Sequence, residues 1–274
     1  SIISSLAWGL GYFGMPHILT RFMAIKSHKL IKKSRIIACT WAVISLAAAV
    51  MVGIFGYAYL TSHGMDPYAS SSAAEVIFMD LVMKLSPALL AGVLLSAILA
   101  AVMSTADSQL LVTASAVAND FYKALFRKNA SDKELMWVSR AAVLAIAVIA
   151  YVIAFDPNSS VMDLVSYAWA GFGAAFGPVI LFSVFWKRMT QRGAILGMVF
   201  GGATVLIWET LTQLMTPNAE GVAILTNISA ISSIYSLIPG FAMGILGVVV
   251  GSLTDRKPSE EVEQLFEKAK AYDV

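Results

Sequence analysis

Seven stretches of this chain approach or exceed the roughly 20 apolar residues that a helix needs to cross a bilayer. They run approximately 1–16, 36–60, 87–118, 136–155, 161–186, 194–215 and 234–253. The connections between them are short and leave no room for a soluble domain of useful size. Composition agrees: 58% of the residues are hydrophobic and 13% charged, against about 25% charged in an average soluble domain. The expectation is an all-α integral membrane protein, with a transmembrane domain over 1–253 and an amphipathic tail over 254–274. The sequence opens inside an apolar segment, with no initiator Met and no signal-peptide pattern. It reads as the later part of a longer protein.

Charge orients the spans. The connection 17–35 carries Arg21, Lys26, Lys29, Lys32, Lys33 and Arg35, and 119–140 carries Lys123, Arg127, Lys128, Lys133 and Arg140. Lys187, Arg188 and Arg192 follow in 187–193, and Arg256, Lys257, Lys268 and Lys270 in the tail. Every Lys and Arg except Lys84 therefore lies in alternate connections or the tail. The positive-inside rule puts these segments in the cytoplasm. The opposite connections, with Asp66, Glu75, Asp80, Asp156 and Glu220, then face outward. A multi-pass protein of the plasma (inner) membrane with a cytoplasmic tail is predicted, and the sorted charge argues against nucleic-acid binding. One cysteine, Cys39, rules out an intrachain disulfide and a zinc cluster. His17, His28 and His63 lie far apart in three settings, which argues against a His-rich metal site. No P-loop, zincin motif or Gly-x-Ser-x-Gly elbow is present, so neither an enzyme nor ATP coupling is indicated.

Two spans carry more than packing. Ala7-Trp8-Gly9-Leu10-Gly11-Tyr12-Phe13-Gly14-Met15-Pro16 places three glycines and a proline inside one helix. Gly costs about 1 kcal/mol and Pro about 3 kcal/mol relative to Ala in a helix interior. A break in lipid is tolerated where it is buried in protein or lines a cavity, and secondary transporters build solute sites from such breaks. Trp8 and Tyr12 stand one turn apart and offer aromatic faces with polar tips. An interfacial belt with close-packing glycines reads equally well from the pattern.

The second is Leu94–Val112, LLSAILAAVMSTADSQLLV. Ala101, Ser104, Thr105, Ser108 and Ser115 recur at i, i+3, i+4, i+7 and i+14, a narrow face of small residues and hydroxyls. Such a stripe is either glue, bonding carbonyls of its own or a neighbouring helix, or half of an oxygen shell for a hard cation such as sodium. Asp107 lies off its centre and is expected at the inner mouth, paired with a loop Arg or Lys.

Lesser features fill in the rest. The outer connection 61–86 predicts a short helix over 73–85, capped by Ser70-Ser71-Ser72, with Asp80 and Lys84 paired at i, i+4; it fits a lid or a passive shield. Tyr167, Trp169 or Phe172 are candidate gate aromatics, while Gly173 and Gly177 fit tight packing. Gly193, Gly197 and Gly201, then Gly240, Gly244, Gly247 and Gly251, read as packing seams. Glu209 is expected to reach water. Val262, Leu265, Phe266 and Ala269 predict an amphipathic helix in the tail.

Three stretches carry a family resemblance: Trp8-Gly-Leu-Gly-Tyr-Phe-Gly-Met-Pro-His-Ile through Arg21-Phe-Met-Ala24, Leu95-Ser-Ala-Ile-Leu-Ala-Ala-Val-Met-Ser-Thr105, and Val165-Ser-Tyr-Ala-Trp-Ala-Gly-Phe-Gly-Ala-Ala-Phe-Gly-Pro178. In that order they resemble the sodium/solute symporter family, its proline-transporting branch above all. The resemblance implies a LeuT-type fold of two inverted five-helix repeats with flanking helices. The spans 1–16 through 161–186 would form the second repeat, core helices six to ten, followed by two further transmembrane helices. It implies a solute site at Trp8, Gly11, Tyr12 and Pro16, and a sodium site at Ala101, Ser104 and Thr105. Met15 stands where glutamine is expected. The first repeat, whose core helix one completes both sites, is not in this sequence. The implied function is sodium-coupled symport of L-proline, with sodium as coupling ion and no organic cofactor. The alternatives are another small solute such as pantothenate, or a symporter-like membrane sensor module, which would need an output domain after the last span.

Overall fold

The computed structural model describes residues 2–27, 29–65, 68–155, 160–215 and 234–271. His28, Asp66, Asp156 and Glu220 lie outside the described residues.

The apolar stretches are helices of membrane-crossing length. Five qualify: α3 (Leu30–Ser62), α6 (Ala88–Ser115, extended to Phe126), α7 (Asp132–Ile153), α8 (Val161–Phe185) and α9 (Gln191–Met215). A sixth is a broken pair in which α1 (Ile2–Gly11) runs through a 3-10 turn at Tyr12–Gly14 and then bends by 54° into α2 (Pro16–Met23). The last expected span is a shorter apolar helix, α10 (Leu237–Leu253). Its 17 residues rise about 26 Å, slightly less than a hydrocarbon core of about 30 Å. The chain is a multi-pass membrane protein.

The chain divides into two compact units, Ser1–Ile31 with Asp163–Val274, and Lys32–Met162. In the first, α9 and α10 form the main helix pair. Glycines let the backbones meet: a side chain at Gly251 would lie 2.7 Å from the Gly193 Cα, and one at Gly247 2.6 Å from the Leu196 carbonyl. The seams expected there are present. Ala170 and Ala174 of α8, Val205 of α9, and Leu237 and Phe241 of α10 form the buried core. The tail helix α11 (Glu260–Lys270) is held by Lys187, whose Nζ lies 3.2 Å from both Glu263 and Glu267. Arg188 donates to the Asp255 and Arg256 carbonyls at 2.8 and 3.3 Å.

In the second unit, α6 winds into a π-helix over Ala116–Phe126 before the turn to α7. Ala118, Ala130 and Leu135 bury this turn, with Tyr122 and Val138 against them. The Tyr122 hydroxyl donates to Glu134 at 2.6 Å, and Ser131 caps α7 by accepting from the Glu134 amide at 3.3 Å.

The connection 61–86 forms α4 (Ser71–Ala74) and α5 (Ile77–Leu85), interrupted where one helix over 73–85 was expected. Ser70 is the cap, accepting from the Ala73 amide at 3.1 Å. The expected Asp80–Lys84 pair is replaced: Asp80 accepts from the Tyr68 hydroxyl, and Lys84 reaches the Met65 sulfur at 2.9 Å. A pair at i, i+4 on an exposed surface is worth only about 0.2–0.5 kcal/mol, so a nearby hydroxyl displaces it readily. Glu75 accepts from the Ser160 hydroxyl and from the Val161 and Met162 amides at 2.9–3.1 Å. It thus serves the unsatisfied amides at the first turn of α8, and these bonds hold its carboxyl below its ordinary value.

Candidate functional site

The break comes from residues that cannot continue an α-helix. Met15 is extended (φ −82, ψ 113), Pro16 starts α2, and the Met15 carbonyl accepts from the Ile18 and Leu19 amides at 3.0 Å each. Gly11 and Gly14 are buried because α8 approaches them. A side chain at Gly14 would meet the backbone at Phe172 and Gly173; one at Gly173 would lie 2.7 Å from the Gly11 Cα. Gly173 and Gly177 therefore have the close-packing role expected of them.

The Trp8 carbonyl accepts from the Trp169 Nε1–H at 2.9 Å. That oxygen lies in the last turn of α1, ahead of the bend. The Trp8 ring lies nearly parallel to Trp169, centroids 5.6 Å apart, and to Tyr235 at 6.0 Å. Tyr12 meets Trp169 edge-on at 4.9 Å and 87°. Tyr235 is anchored by its hydroxyl to the Ser166 carbonyl at 2.7 Å. Trp8, Gly11, Tyr12 and Pro16 thus gather at one bend, with Trp8 half-buried against two rings and Tyr12 54% exposed. Of these four rings, Tyr12 is the exposed one.

Ala101, Ser104 and Thr105 lie on one exposed face of α6, in the other unit. Thr105 Oγ1 donates to the Ala101 carbonyl at 3.3 Å, and Ser108 Oγ to the Ser104 carbonyl at 2.8 Å. Ser96 and Thr113 bond the carbonyls of Gly92 and Gln109 likewise. The hydroxyls of this face turn inward on their own helix and bring pairs of oxygens together. No group of three or more His, Cys, Asp or Glu side chains suited to a metal occurs among the described residues. Asp107 is exposed and takes no part in the ion pairs found among the described residues, which join Arg127 to Glu134 and Lys187 to Glu263 and Glu267. Glu209, expected only to reach water, accepts from the buried Ser236 hydroxyl at 2.5 Å.

Sequence reasoning missed Tyr235, hidden in a stretch that read as a glycine seam. It had Trp169 only as one of three gate candidates. No periodicity marks an indole that reaches a carbonyl 161 residues away.

The family model for the sodium:solute symporter family matches residues 1–201. The chain belongs to this family. Among relatives, the sodium/proline symporter of Escherichia coli (strain K12) is 48% identical over 272 residues, 99% of this chain and 51% of the relative. The high-affinity proline transporter PutP of Bacillus subtilis (strain 168) is 47% identical over 97% of this chain and 52% of its own. The osmoregulated proline transporter OpuE of the same organism is 46% identical, again over 97% of this chain, and is covered over 50%. The chain thus spans about half the length of the symporter-family relatives it matches. No solved structure matches it.

Proposed function

We propose that the protein containing this chain is a sodium-coupled symporter for L-proline that works by alternating access in the plasma membrane. The observation that carries the reading is the bend of 54° at Trp8–Pro16 with its exposed Tyr12, in a chain whose matched relatives are named for proline transport. A bent helix leaves backbone polar groups beside an aromatic wall, which suits a small zwitterion with an apolar ring. Trp8, Gly11, Tyr12 and Pro16 contribute the solute side. Ala101, Ser104 and Thr105 contribute sodium ligands: the oxygens of Ala101 and Thr105 lie 3.3 Å apart, which suits two ligands about 2.4 Å from one cation at roughly a right angle.

In this reading the chain supplies the second repeat of a LeuT-like fold and two flanking helices. An interrupted helix of the first repeat supplies the remaining ligands, and the tail is cytoplasmic. Sodium favours the outward-open state, and solute binding shifts the population toward the inward-facing one.

Uptake into vesicles by the full-length protein tests this. Thr105→Ala raises the sodium concentration for half-maximal uptake or abolishes uptake; unchanged sodium activation removes Thr105 from the site. Trp8→Ala raises the apparent KM for proline, and an unaltered KM removes Trp8 from the pocket. A panel of labelled solutes including pantothenate has proline as the preferred one; a different winner overturns the substrate assignment.

A further inference from the structure

We infer that Trp169 is the positioning residue of the broken helix, fixing where the Trp8 and Tyr12 rings lie by holding the Trp8 carbonyl. The inference rests on the reading that these rings line the solute pocket. Three contacts by one indole carry it. Its Nε1–H donates to the Trp8 oxygen, in the last turn of α1, at 2.9 Å. The same edge of the ring fills the space of the absent Gly11 side chain, where a Cβ would lie 2.6 Å from Cε2 and closer still to Nε1 and Cδ1. The ring also meets Trp8 nearly parallel and Tyr12 edge-on.

The indole rests on a firm support. Ala170 and Ala174 of the same helix are completely buried, and Trp169 packs against the core they form. Tyr235 lies against Trp8 and is tied to the Ser166 carbonyl of α8. Helix α8 is thus a fixed wall and the bend leans on it through one donor. Only tryptophan combines this ring with a donor at its edge; phenylalanine keeps an aromatic face and loses the N–H. Without the bond, the last turn of α1 loses this tie to α8. The turn Trp8–Tyr12 is then free to shift against α8, and the two rings move with it.

The test is Trp169→Phe in the full-length transporter, reconstituted in proteoliposomes with the amount of protein measured. The apparent KM for proline rises about tenfold, the scale of one hydrogen bond, while maximal uptake per transporter stays within about twofold. A KM within about twofold of the parent overturns the inference. So does a fall in maximal uptake with KM unchanged, which marks a merely structural role. Hydrogen exchange of the indole N–H in the unsubstituted protein, read by NMR with labelled tryptophan, guards against a variant that does not fold. Slow exchange at Trp169 supports the bond and exchange as fast as an exposed indole overturns it. Trp8→Ala run in parallel separates the two readings. If it raises KM and Trp169→Phe does not, positioning falls and the pocket stands; if neither raises KM, both fall.

Discussion

Gly11 shows how little room the bend has. An added methyl there runs into the Trp169 indole, whose backing is a buried core that does not yield. Overpacking of this kind costs about 1–3 kcal/mol. Gly11→Ala is therefore expected to lower the melting temperature of the detergent-purified full-length protein, measured by thermal unfolding, and, on the proposed reading, to weaken proline binding. Gly9, two residues away, has nothing within 4 Å of a Cβ. Gly9→Ala leaves both quantities near the parent, and equal effects at the two positions would contradict the packing described. That a helix breaks near Gly11, Gly14 and Pro16 was legible in their spacing. That Trp169 braces the turn before the break was not, because it arrives from a distant helix and its hydrogen bond leaves no local pattern.

At the level of elements, the spans were legible because apolar length is a local property, and the cap at Ser70 because capping acts across three residues. The π winding at Ala116–Phe126 has no such signature; that segment read as the end of a span running into a basic connection. Long-range side-chain partners were hidden for the same reason. Asp80 was read against its helical neighbour Lys84, yet Tyr68, in the loop before α4, takes it.

Glu75 is the clearest case, since it links the connection 61–86 to residues 160–162. Glu75→Ala removes the acceptor from two amides and a hydroxyl, and faster hydrogen exchange at Val161 and Met162 is the expected result. The same bonds respond to pH. The Glu75 carboxyl is held below its ordinary 4.5, so its grip is fully present above that value and is lost as pH falls through the lowered one. Exchange at these amides is expected to be flat from neutral pH down to about 4.5 after correction for intrinsic rates, and to quicken below it. An unchanged corrected rate at still lower pH would contradict the cap.

Across the whole molecule, burial is uneven. The most apolar windows of α3 and α7 bury none of their residues, whereas that of α8 buries 28%. The first unit has an interior of its own, and the apolar faces of the second call for lipid or protein cover. The tail belongs to the first unit through Lys187, whose ammonium is held above its ordinary 10.5 by Glu267 and Glu263. That attraction is present below 10.5 and is lost as pH rises through the raised value. The groups are exposed, so salt screens them. Lys187→Ala, or high salt on the unaltered protein, is expected to free α11, read as faster proteolysis within residues 254–259. Equal cleavage in low and high salt would leave the Arg188 contacts with the Asp255 and Arg256 carbonyls as the tail's real tether.

The length of α6 has a mechanical consequence. Its 28 α-helical residues rise about 42 Å, well beyond a hydrocarbon core of about 30 Å, and the winding to Phe126 adds to this. If Pro87 sits at the outer boundary, Ala101–Thr105 lie only a short way past the mid-plane and Ser115 lies about 27 Å beyond it. A rocking of about ten degrees about the mid-plane would then carry Ser115 through about 5 Å while the oxygens at Ala101 and Thr105 move by about 1–2 Å. On this placement the helix is a lever with Ala101–Thr105 beside the fulcrum, so a displacement there no larger than an ionic diameter is read out as a stroke several times longer at Ser115.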